Sequence, residues 1–203
     1  MVNMPSVQTF AAETLLAAQD VRLAFFDVDG VLTDGGVYFS EHGETLKRFS
    51  ILDGYGLKLL RLAGIVPAVI TGRDSKPLRL RLEALGITHV RYGTEDKLPA
   101  AQAMLAALGL PWSQAAAIGD DWPDLPVLTR VGLAAAPANA HAEVRAVAHH
   151  VTRAATRRRG AARAALDRAR HPRRLGRRPL PARLVGRARP RARRDGADRK
   201  SVV

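Results

Sequence analysis

The 203-residue chain contains no cysteine, which excludes a disulfide framework and any thiolate metal site and leaves the redox compartment open. It has no apolar run of about 18 residues, the length a membrane-spanning helix needs, so no such helix is expected. The N-terminus lacks a basic stretch followed by an apolar block, so no secretory leader is read and the cytoplasm is the expected location. No internal repeat is present. Aromatic residues make up 5% of the chain, and none lies beyond Thr156.

What is there divides into two parts. The net charge is +13, yet Thr152–Val203 alone holds 19 Lys or Arg against 3 Asp, which leaves 13 basic and 16 acidic groups for residues 1–151. The body is therefore a slightly acidic domain long enough for one core, and the basicity belongs to the end of the chain. From about Thr156, Arg, Ala, Pro and Gly dominate. Such a segment buries too little apolar surface to offset its ordering entropy. The expected organisation is one domain over residues 1–155 and an Arg-rich tail over 156–203, disordered or non-native. The tail's composition is what GC-rich coding DNA yields in a shifted reading frame. Its cations attract nucleic acid only non-specifically and in a salt-dependent way. No aromatics interleave with them and no amphipathic anchor follows, so no membrane partner is expected.

Within the body, Ala11–Gln19 reads as a helix and Val21–Val28 (VRLAFFDV) as a buried strand. Gly35–Ser50 alternates on both sides of a Gly-containing turn and reads as a β-hairpin. Gly54–Leu62 reads as a helix and Ile65–Ile70 as a second buried strand. Ser75 is placed to N-cap a helix through Leu85, with Pro77 in its first turn and Gly86 beyond its end. Thr88–Tyr92 is a short strand and Lys97–Leu108 a helix stopped by Gly109, followed by strands at Ala115–Ile118 and Val131–Ala135. Strands alternating with helices predict an α/β fold, a doubly wound and mostly parallel sheet with a hairpin insertion.

In such a sheet the ligand site lies beyond the carboxyl ends of the strands. Three predicted strands end there in polar signals: Asp27-Val28-Asp29-Gly30, Thr71-Gly72-Arg73 and Gly119-Asp120-Asp121, with Lys97 opening a helix between the last two. Each alone is weak, because Asp and Gly commonly end strands as turn formers. The ordered set fits phosphoryl transfer. A phosphate monoester is anionic and repels a carboxylate nucleophile, so a divalent cation and fixed positive charge must neutralise it. Asp27 and Asp120 offer hard oxygen ligands of the kind Mg²⁺ takes. Asp29 points away from Asp27 by strand alternation, unless the backbone turns at Gly30. A carboxyl there could protonate a leaving alcohol and then activate water. Thr71 offers a hydroxyl and a backbone N–H to phosphate oxygens, and Lys97 a point charge.

DVDGVLTDG, ITGR, Lys97 and GDDWPD resemble the four motifs of the haloacid dehalogenase-like phosphatases. DGVLTDG, the hairpin, F-x-x-x-DGYG-x-K and LGITH are similar to the branch that acts on 3-deoxy-D-manno-octulosonate 8-phosphate. The likeness covers roughly residues 21–153. It implies that Asp27 is the nucleophile forming an aspartyl-phosphate, and that Asp29 is the acid–base and a Mg²⁺ ligand through its backbone carbonyl. It implies further that Asp120 completes the metal site with Asp121 and Asp124 behind it, and that Thr71 and Lys97 hold the phosphate. The stretch Ser50, Ile51, Leu52, Asp53 and Gly54, together with Lys58, Arg73 and Arg81, is implied to contact the sugar acid. The implied function is release of the free sugar acid for lipopolysaccharide synthesis, in a homotetramer whose hairpins cover neighbouring sites.

Spacing adds an independent constraint. Between Asp27 and Thr71 there is room for a hairpin and one helix, and between Lys97 and Asp120 for a helix and a strand. Neither interval holds a cap domain, so something else must exclude water from the site. Three other functions stay open: a phosphatase for a related nine-carbon sugar acid phosphate, a non-catalytic subunit retaining the fold, and a basic nucleic-acid-binding protein. Several residues have plainer readings. His89, His141, His149 and His150 read as solvated or helix-end residues, Trp112 and Trp122 as packing residues, and Arg79 as solvated. Asp34 is a turn cap or a substrate contact, and Asp53 a helix start or a substrate contact.

Overall fold

The computed structural model describes residues 10–152; the Arg-rich segment 156–203 lies outside the described residues. The fold follows the alternation read from the sequence. Helix α1 (Ala12–Gln19) leads into β1 (Leu23–Phe26), and a hairpin of β2 (Tyr38–Ser40) and β3 (Gly43–Leu46) follows. Next come α2 (Ile51–Leu62), β4 (Val66–Ile70), α3 (Lys76–Ala84), β5 (His89–Arg91) and α4 (Lys97–Leu108). The remainder is β6 (Ala115–Ile118), α5 (Leu125–Leu128), β7 (Leu133–Ala136), α6 (Ala142–Val147) and β8 (His150–Val151). Among the described residues no helix is long and apolar enough to cross a membrane.

Six strands form one sheet in the order β5-β4-β1-β6-β7-β8, and every pairing in it is parallel. After β1 the chain builds outward to one side through β4 and β5, then returns to build the other side from β6. The reversal places β1 between the two halves, and the crevice at such a reversal is where open α/β sheets bind ligands.

The residues of β1 show why the sheet is covered on both faces. Leu23 and Phe25 pack on one side with Ala101, Leu105, Leu128 and Val144 from α4, α5 and α6. Ala24 and Phe26 pack on the other with Leu57, Leu60, Leu78 and Leu82 from α2 and α3. Period-two alternation with both sets apolar makes a strand buried on both faces. The small residues of β6 and β7, including Ala115, Ala117, Ala134 and Ala136, let these helices approach the sheet closely.

Three local readings are corrected. Helix α2 starts at Ile51, not Gly54, because the Ser50 hydroxyl accepts the backbone N–H groups of Leu52 (3.2 Å) and Asp53 (3.4 Å). Asp53 thus lies buried in the first turn and does not start the helix. Ser75 occupies the N-cap position of α3 but its side chain caps nothing; its hydroxyl donates instead to Glu44 on the hairpin, at 3.0 Å. The short elements α5, α6 and β8 carry too few periodic residues to be read from sequence.

Candidate active site

Asp27 follows β1 directly, and its N–H donates to the carbonyl of Ile118 at the end of β6 (3.1 Å). That bond carries the sheet one residue farther and brings the Asp27 carboxylate beside the loop holding Asp120 and Asp124. Lys97, first residue of α4, is buried with both carboxylates around it. Its Nζ donates to Asp27 Oδ1 and to Asp124 Oδ1, each at 2.6 Å. Asp124 Oδ2 accepts the backbone N–H groups of Asp120 (3.0 Å) and Asp121 (3.3 Å). Asp124 is therefore fully engaged as an anchor: one oxygen holds Lys97 and the other shapes the loop.

Asp27, Asp120 and Asp124 place carboxylate oxygens within 4.8 Å of one another, and the Lys97 ammonium pairs with Asp27 and Asp124. Burial, reinforced by the charge of Asp124, raises the Asp27 carboxyl to about 6 despite Lys97. Burial, then the charges of Asp27 and Asp124, raises Asp120 to about 8. Asp120 Oδ1 is buried without a hydrogen-bond partner. A cluster short of positive charge, with an unsatisfied buried oxygen, fits a hard divalent cation with Asp27 and Asp120 as its side-chain ligands.

Two glycines make the cluster possible. Gly30 has φ +95°, and a Cβ there would overlap the Asp120 carboxylate. A Cβ on Gly119 would overlap the Asp124 carboxylate. The turn at Gly30 also resolves the question posed by strand alternation. β1 ends at Phe26, and the chain beyond it turns, with the N–H groups of Val31, Leu32 and Thr33 donating to the Val28 carbonyl. Asp29 is thereby freed from the opposite-face rule.

Asp29 lies between two cations. Lys47, just past β3, donates from Nζ to Asp29 Oδ1 at 2.6 Å and pairs with Glu44 Oε1 at 2.9 Å. Arg73 Nε lies 3.9 Å from Asp29 Oδ2, and its Nη1 3.8 Å from Glu44 Oε2. Thr71 is buried beyond β4. Its backbone N–H, which the sequence reading offered to phosphate, donates instead to the carbonyl of Arg91 (3.0 Å) and extends the β4–β5 pairing. Its hydroxyl oxygen accepts the Arg73 N–H (3.2 Å).

The remaining sequence-predicted residues separate into a second group. Ser50 caps α2, Ile51 and Leu52 are exposed, and Asp53 and Gly54 are buried. Arg81 Nη2 donates to the Ser50 carbonyl (3.4 Å), in space that a Cβ on Gly54 would fill. Lys58 lies exposed farther along α2. Asp121 accepts the Trp122 N–H (2.8 Å) and caps the turn that ends at Asp124. Asp34 accepts the Gly36 N–H and pairs with Arg48 (3.0 Å), a turn cap as read. Trp122 is 57% exposed, not packed, and its indole N–H donates to His141 Nδ1 (3.1 Å).

Sequence reasoning missed Lys47, Glu44 and Ser75. The available signal was Glu44 and Lys47 three apart at the hairpin's end, but their meeting with Asp29 depends on how the hairpin folds back.

The haloacid dehalogenase-like hydrolase family profile matches residues 86–164. The 3-deoxy-D-manno-octulosonate 8-phosphate phosphatase KdsC of Yersinia pestis is 46% identical over 143 residues, 70% of this chain and 76% of that protein. The same enzyme of Escherichia coli K12 is 41% identical over 145 residues, 71% of this chain and 77% of that protein. The crystal structure of the Yersinia pestis phosphatase superposes with a TM-score of 0.77 at 42% identity, covering 81% of this chain and 89% of that one. The Moraxella catarrhalis phosphatase, solved with a magnesium ion, a phosphate ion and a KDO molecule, superposes at 0.72 with 33% identity, covering 77% of this chain and 90% of that one. With the fold, the strand-end carboxylates and these likenesses in agreement, the chain belongs to the 3-deoxy-D-manno-octulosonate 8-phosphate phosphatase family of haloacid dehalogenase-like hydrolases.

Proposed function

We propose that this protein hydrolyses 3-deoxy-D-manno-octulosonate 8-phosphate to the free sugar acid and inorganic phosphate, with Asp27 as covalent nucleophile. The observation that carries it is the pairing of a buried Asp27 with Lys97 beside the unsatisfied Asp120. The Asp27 and Asp120 carboxylates and the Asp29 carbonyl would hold a Mg²⁺ ion, which would supply positive charge against the phosphoryl oxygens.

Lys97 fixes the Asp27 carboxylate through Oδ1, leaving Oδ2 to attack phosphorus. As the new O–P bond forms, the bond from phosphorus to the sugar oxygen breaks, and the Asp29 carboxyl gives its proton to that oxygen. Asp29, now a carboxylate, takes a proton from water, whose oxygen attacks the aspartyl-phosphate. The Asp27–phosphorus bond breaks, phosphate leaves, and Asp29 is again protonated. Lys97 and the Thr71 hydroxyl hold the phosphoryl group through both steps. Contact with the sugar acid and its carboxylate is assigned to Arg73, which lies beside Asp29, and to Lys58, Arg81 and the 50–54 stretch of the second group, in which Asp53 and Gly54 are buried.

The same proposal includes a cytoplasmic homotetramer acting in lipopolysaccharide precursor synthesis. It is supported by the exposed Tyr38, Phe39 and Leu46 of the hairpin, an apolar surface suited to a neighbouring subunit. Residues 1–155 are taken as the phosphatase domain. The functional test is Mg²⁺-dependent phosphate release across a panel holding the eight-carbon substrate, a nine-carbon sugar acid phosphate and simple sugar phosphates. Selective release from the eight-carbon ester is expected. Preference for the nine-carbon ester would move the assignment to that substrate, and no release from any would leave a non-catalytic role.

A further inference from the structure

The hairpin distributes its side chains in an unusual way. Its apolar residues Tyr38, Phe39 and Leu46 are 49%, 70% and 66% exposed, whereas the Lys47 side chain that follows β3 is 0% exposed. Burying an ammonium is costly unless the charge is paired and hydrogen-bonded. Lys47 meets that condition with Asp29 Oδ1 at 2.6 Å and Glu44 Oε1 at 2.9 Å. Glu44 is tied in turn to the loop after β4, accepting the Ser75 hydroxyl at 3.0 Å with Arg73 at 3.8 Å. Ser75 leaves α3 without a side-chain cap to make that contact, although such a cap contributes about 1 kcal/mol to a helix. The buried lysine meets the carboxylate two residues from the nucleophile, and the diverted cap meets Glu44, the lysine's other partner.

We propose that Lys47 is the residue that positions Asp29, and that Glu44 and Ser75 hold Lys47 in place so that the seating of the hairpin sets the acid–base geometry. The inference rests on the acid–base role given to Asp29 above. Lys47 itself need not touch substrate. It holds Oδ1 of Asp29, so the carboxyl presents a fixed direction to the leaving oxygen and then to water. Proton transfer depends on this kind of alignment, and a carboxyl free to rotate loses part of its contribution.

The test uses the full chain loaded with Mg²⁺ and 3-deoxy-D-manno-octulosonate 8-phosphate as substrate. Lys47→Met keeps an unbranched side chain that fills most of the same space and removes its charge. It is expected to lower kcat by about 10- to 100-fold, a part of the roughly 100- to 10,000-fold that acid–base catalysis contributes, with KM moved less than about threefold. Lys47→Arg is expected to recover part of the loss. In the Asp29→Asn background, Lys47→Met should change kcat by less than about twofold, since residues acting through one another are not additive. A loss carried by KM would show that Lys47 binds substrate. Wild-type kcat in Lys47→Met, or losses that multiply in the double variant, would also overturn the proposal. Should circular dichroism show that Lys47→Met is unfolded, Glu44→Gln leaves Lys47 and Asp29 intact. It must then lower kcat in the wild type but not in Asp29→Asn. Asp29→Asn retaining full turnover would instead refute the acid–base role itself, an outcome separate from any failure at Lys47.

Discussion

Asp27 and Asp120 determine how the site responds to proton and metal. Each binds its proton more tightly in the folded, metal-free protein than the ordinary carboxyl value of 3.8, at about 6 and about 8. For groups raised in this way, the stabilising effect of the neutral form is fully present below the unfolded value. It is lost as pH rises through the folded one. The melting temperature of metal-free protein is therefore expected to fall as pH rises from the unfolded value of 3.8 to about 8, the higher of the two folded values. Saturating Mg²⁺ should flatten that fall, because the cation replaces the protons. Asp120→Asn should remove its upper part. Calorimetry across that range, with and without Mg²⁺, checks the sign, and a melting temperature rising with pH in the absence of metal would contradict it. At the same scale, Gly30→Ala combines a positive φ with overlap of Asp120. It should cost Mg²⁺ affinity more than fold, a difference isothermal titration and melting would separate.

The elements that carry these residues were legible to different degrees, for physical reasons. β1, β4, α4 and β6 are read within a residue or two of their bounds, because a strand buried on both faces is continuously apolar and α4 ends at a glycine with φ +65°. Helix α2 begins three residues before the Gly54 read from the sequence, because the Ser50 side chain caps it. Gly54 lies in that helix because Arg81 occupies the space where its Cβ would be, a tertiary reason no local pattern reveals. The strand-end motifs gave Asp27, Lys97 and Asp120, whereas the Lys47–Asp29 pair required knowing where a hairpin folds. Two stability predictions belong here. Ser50→Ala should cost about 1 kcal/mol through the lost cap of α2, and Phe26→Ala, 1% exposed between α2 and the sheet, about 3–5 kcal/mol. Urea unfolding of both variants checks the order as well as the size.

At the scale of the whole molecule, the described residues contain no cap domain, as the motif spacing predicted, and the hairpin stands with its apolar side chains outward. Light scattering should find an oligomer that Phe39→Asp dissociates, with turnover falling as the hairpins separate. A monomer as active as the parent would show that the site needs no neighbour. The basic segment makes a separable prediction. Duplex DNA binding by the full chain should weaken by about a thousandfold or more between 50 and 200 mM salt, and a version ending at Ala155 should not bind.

The central claim is that Asp27 carries the phosphoryl group between two displacements. Its most direct test is to mix the Mg²⁺-loaded protein with 3-deoxy-D-manno-octulosonate 8-phosphate, quench in acid within one turnover, and map the peptides by mass. One phosphoryl group on the peptide containing Asp27, absent in Asp27→Asn together with all phosphate release, is the predicted result. Phosphate released with no phosphoryl group trapped on Asp27, or turnover surviving in Asp27→Asn, would contradict it.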